Sequence, residues 1–217
     1  TFKVILLMTC SVAIIGILFI LYMNSQYSHT LEYYAFPQGD IGLAMNEFSE
    51  VRSATRAVIG YEEQYAIDTA MEQHDVSVAE LEQYMAQIKK TMVTKEGHEA
   101  YAAIEAAIAN YYEVEAEVLA LGATTDQKLC AQAQEMALHE LTDAYNAADA
   151  TFTSLMNVNI EKGDSSHVRL EIMEVILLGI MIAILVVIVL VSRQLGGTIS
   201  KGIEKPLNEM ENRLKAF

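Results

Sequence analysis

Two stretches of the chain carry no charge, and the long segment between them places apolar residues at intervals of three and four. Residues 4–23, VILLMTCSVAIIGILFILYM, and residues 175–192, VILLGIMIAILVVIVLVS, are the uncharged runs. At about 20 and 18 residues, each is long enough as a helix to cross a hydrocarbon core of roughly 30 Å. The first run exceeds the roughly 7–15 residues of a signal-peptide core, and no small-x-small cleavage site follows LYMNSQYSH; it predicts a retained anchor. The second is apolar on every face, which suits lipid better than the core of a soluble fold.

Between the runs, the apolar positions trace four seams. They are Ile41, Ala44, Phe48, Val51, Thr55 and Val58; Leu81, Met85, Ile88 and Met92; Tyr101, Ile104, Ile108, Tyr111, Val118 and Leu121; and Leu138, Leu141, Tyr145, Ala148, Phe152 and Leu155. Seven-residue repeats of this kind predict helices packed nearly parallel in a bundle. No alternating run is long enough for a strand. The expectation is an all-α chain, an antiparallel four-helix bundle extracytoplasmic domain flanked by two transmembrane helices. Its expected segments are 1–24 (first span), 25–172 (bundle), 173–192 (second span) and 193–217 (cytoplasmic segment).

Local punctuation refines the helix ends. Ser77 with Glu80 forms a capping box expected to open the second bundle helix, and Thr124 with Gln127 one for the fourth. Thr94 is placed to cap the third, with Glu96 against the helix dipole. Gly122 follows the third helix where a left-handed closing residue is wanted. Pro37, in FPQGDIG, is expected to kink or break the chain before the first bundle helix. Counting from Asn24 to a tip near Met71 spans roughly 47 residues, about 70 Å of helix, and the return from Thr125 to Ile172 is similar. The first and fourth helices are thus expected to continue into the spans, so that shifting one against the other shifts the spans.

Charge then sets the orientation. The chain is 53% hydrophobic yet carries a formal charge of -15, and the two properties are segregated. Roughly 25 acidic and 8 basic residues fall within 25–172, whereas Arg193, Lys201, Lys205, Arg213 and Lys215 follow the second span and Lys3 precedes the first. The positive-inside rule predicts both termini in the cytoplasm, the bundle outside and the lipid bilayer as a partner. An acidic exterior argues against nucleic acid. Cys10 lies in the first span and Cys130 far out in the bundle, so they are not expected to pair; Cys130 reads as a small buried hydrophobe.

Span, acidic antiparallel bundle, span and short amphipathic tail together resemble the sensory part of a bacterial methyl-accepting chemotaxis receptor. The tail ISKGIEKPLNEMENRLKAF sets Leu207, Met210, Leu214 and Phe217 at spacings of three, four and three after a proline, and follows Gly196-Gly197. It is similar to the first helix of a HAMP domain, a parallel dimeric coiled coil. The resemblance implies a multi-pass receptor of the bacterial inner membrane, acting as a homodimer. It implies a small-molecule ligand outside the cell, and cytoplasmic signalling proteins engaged through a C-terminal part beyond this chain, which is expected to be a fragment. A histidine kinase or diguanylate cyclase as output, or a structural or adaptor hairpin without a small ligand, remain as alternatives.

The segment FSEVRSATRAVIGY then becomes informative. Arg52 and Arg56 are one helical turn apart, and no carboxylate stands three or four residues from either. In receptors of this family with carboxylate ligands, arginines of the first bundle helix hold the ligand carboxylate; the resemblance implies Arg52 and Arg56 in that role. A guanidinium fork binds a carboxylate through two hydrogen bonds, and two cations in one turn reinforce its attraction. Counting equal heights from the membrane puts Ala144 opposite Arg52, so Asn146, Asp149 and Thr151 are expected to complete the pocket, with Tyr145 packing in the seam. The competing expectation pairs the arginines with Glu140, Asp143 or Asp149.

The remaining constellations read as background. His29, His74, His98, His139 and His167 show no i,i+3 or i,i+4 pairing, so no metal site is expected. Glu62, Glu63, Glu113, Glu115 and Glu117 read as solvated faces. Tyr33, Tyr34, Tyr111 and Tyr112 read as packing or interfacial anchors. With no nucleophile in register with a base, no P-loop and no dinucleotide fingerprint, neither catalysis nor a cofactor is expected.

Overall fold

Helices occupy nearly all of the computed structural model, which describes residues 2–215. They are α1 (Phe2–Thr30), a π-helical turn (Leu31–Ala35), α2 (Phe36–Gly60), α3 (Gln64–Thr91), α4 (Lys95–Gly122), α5 (Gln127–Leu138) and α6 (Glu140–Lys215). Among the described residues there is no strand. The chain divides into two compact units.

The unit Ser28–His167 is the antiparallel four-helix bundle. Its rods are α2, α3, α4 and, as the fourth, α5 followed by the first part of α6. The core is assembled from the expected seams, apart from Leu138, which is exposed: Ile41, Phe48, Val51 and Val58 of α2 meet Ile104, Tyr111 and Val118 of α4, with Leu141, Phe152 and Leu155 of α6, all buried. Aromatic rings fill its middle. Phe48 stacks on Tyr145 at 5.0 Å between centroids and meets Tyr111 edge-on at 4.8 Å, both favoured arrangements of ring quadrupoles. Each such ring buries enough apolar surface to make truncation to alanine cost about 3–5 kcal/mol.

Several helix ends differ from the sequence expectation. The first turn of the bundle falls at Tyr61–Glu63, not near Met71: Tyr61 and Glu63 are extended, and α3 begins at Gln64. Ser77 is therefore no cap. It is a buried residue in the middle of α3, in the seam Ile67, Ala70, His74, Ser77, Leu81. The reason is length matching. A second helix opening at Ser77 would run about 20 Å, half of what is needed to cover the 28-residue α4. At the start of the fourth rod, Asp126 is the cap, accepting from the Lys128 amide at 2.9 Å, while Thr124 Oγ1 accepts from the Asp126 amide. Thr94 caps α4 as expected, accepting from the Gly97 amide at 3.0 Å. The Glu96 carboxyl there is held below its ordinary range, first by backbone hydrogen bonding and then by Lys162.

Gly122 ends α4, but no glycine among the described residues has a positive φ. Its requirement is space: a Cβ there would stand 2.8 Å from Ala133 Cβ and 3.0 Å from Ile59 Cβ. Pro37 is buried in the first turn of α2 and does not break the chain. Lacking an N–H, it leaves the Tyr33 carbonyl without its usual donor, and the preceding turn widens so that the Phe36 amide reaches back to Leu31 O. A π turn absorbs the fault that was expected to become a kink.

The other unit holds the described residues of 2–27 and 168–215. α1 and α6 are both long and apolar enough there to cross a membrane. Leu7, Ile20 and Leu21 on α1 and Val175, Leu178 and Leu190 on α6 are exposed, far more apolar surface than a soluble fold leaves uncovered. A Cβ built at Gly16 would lie in ordinary van der Waals contact with Met181, 3.7 Å from its Cε. Of the tail seam Leu207, Met210, Leu214 and Phe217, only the Met210 side chain falls within the described residues, and it is exposed.

Candidate functional site

The arginine pair lies on a flank of α2, beside the seam that carries Phe48, Val51 and Thr55. Arg52 is half-buried. Its Cζ stands 4.1 Å over the Tyr145 ring, a cation–π contact, and that ring is itself stacked on Phe48. Nη2 donates to Thr142 Oγ1 at 3.4 Å, and the Thr142 hydroxyl donates in turn to Ala137 O at 2.8 Å. Tyr145 thus packs in the core and also supports the guanidinium. Arg56, one turn further along, is exposed and borders a groove of about 360 Å³ with Ile59, Gly60, Gln134, Ala137 and Leu138. Gln134 Nε2 donates to Ile59 O at 2.9 Å and holds α5 to the end of α2.

A break in the fourth rod borders this flank. His139 leaves helical geometry between α5 and α6, at φ -109 and ψ -80. Its amide reaches only three residues back, to Met136 O at 3.3 Å. Thr142 supplies the Ala137 carbonyl with a side-chain donor while accepting from Arg52. The arginine therefore rests on the residue that patches the interruption.

Of the other residues selected from the sequence, Asp149 is half-buried. It lies one and two turns beyond Tyr145 and Thr142, on the flank of α6 they share. Asn146 is exposed. Thr151 is on the opposite flank, its hydroxyl turned back onto Ala148 O at 2.6 Å. Neither Arg52 nor Arg56 forms an ion pair among the described residues; the pairs present join His74 to Asp75 and Glu115, Lys89 to Glu105, Lys95 to Glu99 and Lys162 to Glu96. Pairing of the arginines with Glu140, Asp143 or Asp149 is not found. No group of three or more His, Cys, Asp or Glu side chains among those residues is placed to hold a metal ion.

Beneath the arginines lies a polar layer that the sequence reading missed. Glu115, expected on a solvated face, is 3% exposed. Tyr111 donates to its Oε1 at 2.9 Å, Thr55 Oγ1 lies 2.5 Å from the same oxygen, and His74 Nε2 is 3.2 Å from Oε2. The signal was present in the period: Glu115 is four after Tyr111 and three before Val118, on the seam itself, and His74 sits likewise between Ala70 and Leu81. Its neighbours Glu113 and Glu117, which do face solvent, disguised it as part of a charge run. Burial, and next the Glu115 charge, pushes the Tyr111 hydroxyl well above its ordinary range. The hydrogen bond to Glu115 raises the His74 imidazole against the opposing effect of burial.

A four-helix bundle whose arginine flank forms no ion pair among the described residues lies, in chain order, between two membrane-length apolar segments, the organisation of a sensory module. The chain belongs to the family of four helix bundle sensory modules for signal transduction, which matches residues 1–171. No curated protein matches it. The expected resemblance to chemoreceptor sensory parts is met at the level of this family.

Proposed function

We propose that the bundle binds a small carboxylate outside the membrane through Arg52 and Arg56, and that a homodimer relays the event through displacement of its spans and a HAMP segment to control chemotaxis. One observation carries the reading: in a chain of net charge -15, two cations one turn apart form no ion pair among the described residues, and one of them borders an open groove. Two guanidinium groups one turn apart form a local positive patch that attracts an anion against the acidic background. Arg52, held over the Tyr145 ring and donating to Thr142 through Nη2, has further guanidinium N–H groups to offer a carboxylate. Ile59, Ala137 and Leu138 offer apolar contact to the ligand's carbon frame, and Gln134 and Asn146 offer polar contact. A ligand bridging Arg56 to Arg52 would bear on Thr142 and on the break at His139, giving the fourth rod a reason to move.

The test is thermal unfolding of the full chain in lipid nanodiscs across a panel of small carboxylates, with the matching neutral amides as controls. A ligand at about 100 times its dissociation constant adds roughly 2.7 kcal/mol. Arg52→Ala and Arg56→Ala should each abolish the shift. A carboxylate that stabilises both variants as well as the parent refutes the site. Labelling of Ser49→Cys by an impermeant thiol reagent on intact cells checks the orientation; protection there, with labelling after lysis, puts the bundle inside.

A further inference from the structure

The buried polar layer has no part in the arginine site, yet it crosses three helices of the core. His74 is held at both ring nitrogens: Nε2 is 3.2 Å from Glu115 Oε2 and Nδ1 is 3.2 Å from Asp75 Oδ1. A neutral imidazole has one N–H, so one of the two nitrogens would present a lone pair to a carboxylate oxygen. With both carboxyl groups ionised, only the imidazolium, with two N–H donors, satisfies both contacts. We propose that His74 is a proton-binding site, clamped between Glu115 and Asp75, whose protonation fastens α3 to α4 and whose deprotonation loosens them, so that the bundle responds to external pH near neutrality.

The surroundings fit this assignment on every side. From α3 comes Asp75, whose side chain is exposed and free to leave once its partner loses the proton. From α4 come Glu115, Tyr111 and Tyr112, the last two with hydroxyls that burial keeps protonated far above neutrality. From α2 come the Thr55 hydroxyl on Glu115 and Arg52, whose charge reaches Tyr111. The buried positions Ala133 and Ala137 of α5, and Leu141 and Ala144 of α6, bring no charge. The nearest counter-charge to the buried carboxylate is thus the proton on His74, and its loss leaves Glu115 with neutral donors alone.

The sign follows from the direction of the His74 shift. Its folded value lies above the ordinary 6.5. The stabilisation is therefore complete below about pH 6.5 and is lost as pH rises through the folded value. Other resolved shifts act elsewhere: Glu96 matters only in acid, and the tyrosines only in strong alkali.

Thermal unfolding of the full chain in nanodiscs, from about pH 5.5 to about pH 8.5, provides the test. Tm should fall across that range by about 2 °C or more beyond the fall in His74→Gln. Asp75→Asn, a change at an exposed side chain, should move the midpoint of the fall to lower pH. As a readout independent of whether the Gln variant folds, the four exposed histidines His29, His98, His139 and His167 are replaced by Gln, leaving His74 alone for ¹⁵N NMR. Two protonated ring nitrogens at about pH 6.5 are expected. A neutral tautomer at that pH, or identical pH profiles for the parent and His74→Gln, overturns the proposal.

Discussion

Replacing Gly122 by alanine tests whether the end of α4 is shaped by backbone conformation or by packing. If Gly122 were a left-handed closing residue, an added Cβ would strain the backbone. Its φ is not positive, so that cost is absent and the general Gly→Ala benefit of about 0.4–1 kcal/mol applies. Against it stands the contact: the new carbon would lie 2.8 Å from Ala133 Cβ and 3.0 Å from Ile59 Cβ. Both belong to rigid, buried parts of the bundle rather than to the ends of flexible side chains. Overpacking of this kind costs about 1–3 kcal/mol, and it exceeds the backbone gain. The net expectation is a loss of about 1–2 kcal/mol, or roughly 2–8 °C in Tm for a chain of this length. Gly60→Ala is the internal control. A Cβ there meets nothing within 4 Å, and only the backbone gain of about 0.5 kcal/mol remains. Thermal unfolding by far-ultraviolet circular dichroism, on the full chain in nanodiscs, reads both. The reasoning fails if Gly122→Ala raises Tm as Gly60→Ala does.

Thr55→Val keeps the shape of a buried residue but removes a hydroxyl from Glu115, and should cost about 1–3 kcal/mol because the carboxylate stays buried with one donor fewer; chemical denaturation measures it, and a neutral result would mean that Glu115 draws no support from α2. Asn159 is buried, and its Nδ2 has no hydrogen-bond partner among the described residues. Asn159→Leu is therefore expected to be neutral or stabilising by about 1 kcal/mol, and a drop in Tm would contradict this.

The period of the apolar residues was enough to determine the helical class, the two membrane-length runs and most of the core, because burial against neighbouring helices repeats with the turn of the helix itself. Phe48, Ile104, Tyr111, Leu141 and Phe152 are all buried where their spacing places them. The Thr94 cap was legible for the same local reason, since a cap and the amide it receives lie within one turn. The false capping box at Ser77 shows the limit: the motif is local, but whether a helix starts there depends on how long its neighbours are. The period sets Glu115 on the seam and Glu113 and Glu117 off it, but only the assembled bundle decided that a carboxylate could be accommodated there. Glu113, Glu115 and Glu117 are chemically alike, and Glu115 is tolerated inside because Thr55, His74 and Tyr111 arrive from three helices to satisfy it. The arginines divide in the same way. Their lack of carboxylates along α2 could be read from the chain, but their lack of ion pairs with neighbouring helices among the described residues is a fact of three dimensions, as is the contact of Arg52 with the Tyr145 ring. Periodicity reports which face a residue occupies; what it meets on that face is set by helices far away in the chain.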